Sequence, residues 1–233
     1  MLMFSASKRH GCHVAVTYQT CQGGKCLNSL HRRTKGKRGG FATLVRKGIT
    51  VQRHVANEYA QLLELTVPGG SHLAVVNCYL PPGNGMRRKR LSEEAAYDAV
   101  ADLVVKVPHH NDLLLCGDLN ARTGCLVPNL GPDSAADRVS SDTATCARGK
   151  WLISQLQTWQ LQLLNGTLLD LAGATTCKRH NGSSVVDYMA LRGVPLHFEV
   201  IDDVADGLSD HNPIMCRLLS PPPPAHIEAP QCA

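Results

Sequence analysis

The sequence has 233 residues, of which 43% are hydrophobic, so it can form a folded core and is not a disordered chain. It contains no apolar stretch of about 18 residues, which excludes a membrane-spanning helix, and we expect no membrane association. The ten cysteines are scattered without a C-x-x-C pair, which favours a reduced, intracellular protein. The net charge of +5 divides unevenly, because residues 1–90 carry +13 and residues 91–233 carry −8. A basic surface beside an acidic site suits an enzyme that binds a polyanion and a cation, although chance composition explains the same numbers.

The first half of the chain is predicted to be rich in β-strands. Five strand-like runs follow one another, at residues 13–18, 40–46, 50–55, 60–67 and 71–80. The basic, glycine-rich residues 23–40 predict a mobile loop between the first two runs. Pro68, Gly69 and Gly70 predict a tight hairpin between the last two.

The second half alternates predicted helices with short strands. The helices are expected at residues 92–106, with Ser92 as the N-cap, and at residues 147–160. The strands are expected at residues 112–116, 161–164, 184–191, 197–204 and 213–219. The proline-rich residues 220–233 predict a disordered tail. The pattern predicts one mixed α/β domain over residues 1–219, with largely antiparallel sheets.

Polar residues interrupt three of the predicted strands or follow them directly. Asp118 and Asn120 come after a buried strand, and their spacing lets both side chains point the same way. Asp210 and His211 precede the last strand and offer a proton carrier with a neighbouring charge. Both segments are equally explained as ordinary turns. Asp187 is harder to explain by structure alone, because an inward carboxylate among apolar residues costs free energy unless a partner such as His211 binds it.

These three segments together are more specific than any one of them. With Gly117-Asp118-Leu119-Asn120, Asp187 and Ser209-Asp210-His211-Asn212-Pro213 in this order, the chain resembles the endonuclease/exonuclease/phosphatase superfamily. It is most similar to the endonuclease domains of LINE-type retrotransposons. Further matching segments lie in the same order along the chain, at residues 39–47, 76–82, 138, 141–142, 164–166, 176 and 186–188.

The resemblance implies a four-layer α/β sandwich, in which two packed mixed sheets are flanked by helices. It also implies hydrolysis of phosphate esters with Mg²⁺, or Mn²⁺ in its place. The implied catalytic residues are Asp118, Asn120, Asp187, His211 and Tyr79. Substrate contacts are implied for Thr176, Ser209, Arg122 and Asn165, and metal contacts for Asp210 and Asp118.

One feature of the sequence departs from the family pattern. Family members begin with a strand ending in Asn and a second strand ending in Gln-Glu, whose Glu is the main metal ligand. Here no Asp or Glu precedes Glu58. We therefore expect an N-terminally truncated domain that lacks the first strand and the metal-ligand strand.

Three functions are compatible with these observations. The first is a Mg²⁺-dependent DNA endonuclease domain of retrotransposon origin, weak or inactive in this form. The alternatives are a catalytically dead module that binds nucleic acid or protein, and a phosphatase of the same superfamily acting on small molecules or lipids. We expect a monomeric protein inside the cell. If it binds nucleic acid, residues 32–38 and 87–90 should carry the salt dependence of binding. Residues 87–90 are equally explained as a nuclear-localisation patch, which would place the protein in the nucleus, or as a solvated loop.

Overall fold

The fold is known from a computed structural model. It describes residues 2–7, 11–16, 27–32, 41–67, 70–83, 86, 92–131, 137–167, 170, 172–201 and 209–218, with side chains from residue 43 onward. Most of the two basic segments expected to bind DNA, and the proline-rich tail, lie outside the described residues.

Fourteen strands and two longer helices are found in the described part of the chain. The first seven strands are β1 (Leu2–Ser7), β2 (Gly11–Val16), β3 (Leu27–Arg32), β4 (Phe41–Arg46), β5 (Thr50–Ala56), β6 (Ala60–Thr66) and β7 (His72–Tyr79). They are followed by α1 (Glu93–Val104), β8 (Asp112–Asp118), α2 (Ala147–Thr158) and β9 (Gln162–Leu163). The last strands are β10 (Cys177–Arg179), β11 (Gly182–Ser184), β12 (Asp187–Arg192), β13 (Pro195–Val200) and β14 (Ile214–Leu218). Neither helix is long and apolar enough to cross a membrane.

The strands form two six-stranded sheets and a small hairpin. The first sheet has the order β13-β14-β1-β2-β4-β3, the second has the order β5-β6-β7-β8-β12-β9, and β10 pairs with β11. Neighbours are antiparallel except for the parallel pairs β2–β4 and β7–β8. The predicted mixed, largely antiparallel α/β architecture is confirmed.

The core has two parts because the second sheet buries both of its faces. One face contributes Leu114 and Met189, which pack with Phe198 and Ile214 of the first sheet. The alternate side chains of the same strands point the other way and pack with apolar residues of α1 and α2. The polar ends of β8 and β12 therefore lie at the rim of the core between the two sheets.

Both predicted helices are confirmed, with ends within two residues of those expected. The Ser92 hydroxyl caps α1 by accepting a hydrogen bond from the Ala95 amide at 3.2 Å, as predicted from its position before two glutamates. In α2 the Cys146 side chain takes the N-cap position.

The strands differ from the sequence prediction at three places. The expected mobile loop contains β3, and the residues before Gly11, for which no element was predicted, form β1 between β14 and β2. The single strand expected at residues 184–191 is two strands, β11 and β12. The break occurs because the backbone amides of Val185 and Val186 bond to side chains, those of Asp142 and Thr176, instead of to a neighbouring strand.

Gly117 is required where β7 passes β8. Its φ is +145°, and a Cβ atom there would lie 1.9 Å from the Cys78 carbonyl oxygen. We expect Gly117→Ala to lower the free energy of unfolding by at least about 4 kcal/mol or to prevent folding. Gly182→Ala is the matched control, since its φ is +136° but no atom lies within 4 Å, so only backbone strain of about 1–2 kcal/mol is expected. Equal costs in urea unfolding would contradict this close approach.

Candidate active site

Strand pairing brings two carboxylates together at the rim of the core. Asp118 is the last residue of β8 and Asp187 is the first residue of β12, and the antiparallel register places them opposite each other. His211 lies just before β14 and forms an isolated β-bridge with Cys177. Ligand atoms of Asp118, Asp187 and His211 all lie within 4.8 Å of one another, and all three residues are buried.

His211 and Asp187 form a buried ion pair. The Nδ1 atom of His211 lies 2.8 Å from Oδ2 of Asp187, which is the contact that the sequence predicted. Burial lowers the pKa of His211, but the hydrogen bonds to Asp187 and Cys177 and the nearby charge of Asp118 raise that pKa to about 11. Burial also raises the pKa of Asp187. The pKa shifts of His211 and Asp187 describe the same proton, the one in the hydrogen bond between the imidazole and the carboxylate. That proton belongs on the imidazole, because the hydrogen bonds to Asp187 and Cys177 stabilise the charged ring.

Asp118 is held by Asn120 on the loop after β8. The Asn120 side-chain nitrogen donates to Asp118 Oδ1 at 2.7 Å and to the Leu80 carbonyl at 2.9 Å, and its backbone amide donates to the same carboxylate at 3.0 Å. Burial and the charge of Asp187 raise the pKa of Asp118 from 3.8 to about 8, although His211 and Asn120 oppose the shift. Ionising this carboxylate costs free energy because the carboxylate is buried. A bound cation would offset that cost, so Asp118 is a group to which a cation would bind favourably.

Two residues predicted as substrate contacts bond to the backbone that positions Asp187. The Thr176 hydroxyl accepts hydrogen bonds at 3.0 Å from the amides of Val186 and Asp187. The Asn165 amide donates to the Asp187 carbonyl at 3.1 Å and accepts from the Met189 amide at 3.0 Å. Their role toward a substrate stays a prediction.

The Ser209 and Tyr79 side chains also lie near the pair. The Ser209 hydroxyl accepts a hydrogen bond from the His211 amide at 3.0 Å. Tyr79 is half-buried against the core between the sheets and pairs in register with Asp118. Tyr79 therefore lies beside Asp118 in the sheet, and its contact with a phosphate stays a prediction.

Arg122 and Asp210 are each engaged in an ion pair. Arg122 binds Asp142 through two nitrogens, at 2.8 and 2.5 Å, while its side chain stays 46% exposed. Asp210 Oδ2 accepts from Arg179 Nε at 3.0 Å, and its Oδ1 lies 4.0 Å from His211 Nε2. A substrate must therefore compete with the Asp142 carboxylate at Arg122, and a metal must compete with the Arg179 guanidinium at Asp210.

Cys177 and Arg179 belong to the site but were not recognised in the sequence. Both lie on β10, a three-residue strand whose sequence, Cys-Lys-Arg, has no distinguishing pattern. Their importance follows from the bridge between Cys177 and His211, which only the folded chain reveals.

The donor set fits a hard divalent cation only in part. Asp118 and Asp210 each offer the carboxylate oxygens that Mg²⁺ prefers, but they belong to different groups of close donors, and Asp118 is grouped with Asp187 and His211. A second group of donors, Cys177, Asp210 and His211, also has ligand atoms within 4.8 Å of one another.

Comparison with known proteins identifies relatives by sequence and by fold. A family model described as endonuclease-reverse transcriptase matches residues 73–215, more than half of the chain. No curated protein matches the sequence. An AP endonuclease from Archaeoglobus fulgidus has a similar structure, with a TM-score of 0.53 and 12% identity over 82% of this chain and 79% of that chain. That likeness supports the fold of two packed sheets.

Three further solved structures give lower TM-scores. A truncated TDP2 from Caenorhabditis elegans gives a TM-score of 0.46 and 17% identity over 81% of this chain and 73% of that chain. The chain spans 56% of another structure of TDP2 from that organism. An endonuclease/exonuclease/phosphatase family protein from Leptotrichia buccalis gives a TM-score of 0.49 and 12% identity over 83% and 71% of the two chains.

Proposed function

The chain belongs to the endonuclease-reverse transcriptase family, within the endonuclease/exonuclease/phosphatase superfamily, and we propose on that premise that it is a metal-dependent DNA endonuclease domain of retrotransposon origin. We further propose that its hydrolytic activity is weak. The observation that carries the proposal is the buried cluster of Asp118, Asp187 and His211, whose donors lie within 4.8 Å of one another.

This cluster suits hydrolysis of a phosphodiester. Attack by water on phosphorus adds negative charge to the phosphate oxygens, and positive hydrogen-bond donors in a dry site stabilise that charge. His211 presents such a donor at Nε2, because Asp187 binds Nδ1, and a phosphate at Nε2 would compete with Cys177, the other hydrogen-bond partner of the ring. The raised pKa of His211 keeps this nitrogen protonated at neutral pH.

Asp118 and Asn120 have the complementary task of handling water. A carboxylate at the rim accepts a proton from the attacking water or orients it, and Asn120 fixes that carboxylate through two hydrogen bonds. As water attacks, the bond from phosphorus to the leaving oxygen breaks, and the leaving oxygen needs a proton or a cation. When bound by Asp118 and Asp210, Mg²⁺ would supply Lewis-acid stabilisation of the phosphate charge.

The charge of the site supports the proposal of weak activity. Residues 1–57 contain no Asp or Glu that could add a carboxylate to the site. Asp210 is already paired with Arg179, so less negative charge remains for a cation. Loss of one well-placed charge stabiliser costs roughly 10²–10³ in rate.

DNA is the substrate class that the other observations favour. The family description joins an endonuclease to a reverse transcriptase, and the archaeal neighbour is named an AP endonuclease. The +13 charge of residues 1–90 suits a polyanionic partner.

Nicking of supercoiled plasmid tests the proposed function. We expect slow nicking that requires Mg²⁺ or Mn²⁺ and is lost in Asp118→Ala. Asp112→Ala is the matched control, because Asp112 lies at the opposite end of β8, and it should retain the wild-type rate. Nicking that persists in Asp118→Ala would contradict the site.

Two other outcomes would identify the alternative functions. DNA binding without nicking, even in Mn²⁺, would indicate a dead binding module. Release of phosphate from inositol phosphates, with no action on DNA, would indicate a small-molecule phosphatase.

A further inference from the structure

We propose that Cys177, Asp210 and His211 form a binding site for Zn²⁺, which shares Asp210 with the ligands proposed for Mg²⁺ but adds a sulfur and an imidazole nitrogen. One ligand atom from each residue lies within 4.8 Å of the other two. His211 Nε2 lies 4.0 Å from Asp210 Oδ1. Cys177 is 1% exposed and the side chains of the other two are 7% exposed, so the site is screened from bulk water.

The backbone holds these three residues in a fixed arrangement. Cys177 and His211 form a β-bridge, the Lys178 amide donates to the Asp210 carbonyl at 2.7 Å, and the Asn212 amide donates to the Thr176 carbonyl at 2.7 Å. Residues 176–178 and residues 210–212, which are remote in sequence, are thus hydrogen-bonded to each other, and the three ligands lie on these two segments. Little ordering is needed when a cation binds, which favours affinity.

Neighbouring residues orient two of the ligands as they do in known metal centres. A metal-binding histidine commonly donates its second ring nitrogen to a carboxylate, and His211 Nδ1 lies 2.8 Å from Asp187. This leaves Nε2 for the cation, and binding releases the Nε2 proton and the Cys177 thiol proton to solvent. Arg179 donates to Oδ2 of Asp210 at 3.0 Å, and the other oxygen of that carboxylate, Oδ1, lies on the side of His211.

The donor chemistry selects Zn²⁺ over Mg²⁺. Sulfur and imidazole nitrogen are ligands of Zn²⁺, whereas Mg²⁺ demands oxygen. Zinc bonds of about 2.0–2.3 Å in a tetrahedron require ligand atoms about 3.3–3.8 Å apart, so the 4.0 Å separation of His211 and Asp210 needs only a small approach. Three protein ligands leave a fourth position for water.

Occupancy of this site would inhibit the reaction, a consequence that rests on the proposed function. Zn²⁺ on Nε2 of His211 removes the donor assigned to the phosphate, and Zn²⁺ on Asp210 removes a ligand assigned to Mg²⁺. Zinc binding itself requires neither role, so the two ideas can fail separately.

Cobalt spectroscopy tests the binding site without measuring activity. Co²⁺ replaces Zn²⁺ at such sites, and a thiolate ligand gives it a charge-transfer band in the near ultraviolet. We expect this band when Co²⁺ is added to the purified 233-residue protein, and its loss when Zn²⁺ is added. Cys177→Ser should abolish the band and weaken Zn²⁺ binding, measured by competition with a chromogenic chelator, by at least about 10-fold.

Matched variants distinguish this site from the other thiols. The double variant Cys21→Ser/Cys26→Ser and the single variant Cys125→Ser should keep the band and the affinity. Asp210→Asn provides a second test if Cys177→Ser fails to fold, and it should weaken Zn²⁺ binding about 10-fold or more while circular dichroism shows a native fold. The proposal is overturned if the wild-type protein shows no thiolate band, if the band survives in Cys177→Ser, or if folded Asp210→Asn binds Zn²⁺ as tightly as the wild type. Zn²⁺ binding without inhibition of nicking would overturn only the inhibitory role.

Discussion

Replacing Asp187 by alanine should lower the free energy of unfolding by about 3–5 kcal/mol, because it leaves His211 buried without its partner. Asp187 is fully buried and its carboxylate lies 2.8 Å from the imidazole. Removing one member of such a pair leaves a desolvated group whose lost contact is not replaced. Urea unfolding in the presence of EDTA measures the change without metal binding.

The double variant Asp187→Ala/His211→Leu shows whether the cost belongs to the pair. We expect it to be less destabilised than the sum of the two single variants, because the unpaired imidazole is absent. Asp102→Ala on the exposed side of α1 should change stability by no more than about 0.5 kcal/mol. A cost below about 1 kcal/mol for Asp187→Ala would mean that the ion pair is not formed.

The central part of the site could be predicted from sequence because its residues violate local rules. An isolated Asp among Val, Tyr and Met requires a partner, and the structure confirms His211 as that partner. Asp118 follows a run of buried leucines, so its location at a strand end could be predicted without knowing the pairing. Strand register then explains why two such residues meet.

Other parts of the fold depend on contacts that leave no local pattern. Leu27–Arg32 contains leucines three residues apart, which does not match the period of a half-buried strand, yet it pairs along its length with β4. Cys177 and Arg179 acquire their neighbours only when β10 meets the segment before β14. The contacts that position them join residues more than 30 apart in the chain. The periodicity of hydrophobic residues along the sequence does not indicate such contacts.

The site is also a place where function opposes stability. The buried side chains of Asp118, Asp187 and His211 lie close together. Among these three, the close ion pair is formed by Asp187 and His211. Asp118 therefore has to be ionised, for the proposed reaction, in surroundings that favour its protonated form. Removing its charge should help the fold and harm the activity.

We expect Asp118→Asn to stabilise the metal-free protein at about pH 8 by about 1–3 kcal/mol and to abolish plasmid nicking. The pKa of Asp118 rises from 3.8 to about 8 on folding, mainly through burial. The folded state therefore binds more protons than the unfolded state between these values, and stability falls as the pH rises through this window. The substituted side chain keeps the shape of the original and an oxygen that accepts from Asn120, but it carries no charge that must be desolvated.

Urea unfolding in EDTA at about pH 5 and about pH 8 measures this effect. The wild-type protein should lose more stability than Asp118→Asn between the two pH values, so the variant's advantage should grow with pH. Asp102→Asn, an exposed change on α1, should follow the wild-type pH dependence. Parallel curves for wild type and Asp118→Asn would show that Asp118 ionises freely in the folded protein, and the proposed conflict between charge and burial would then be wrong.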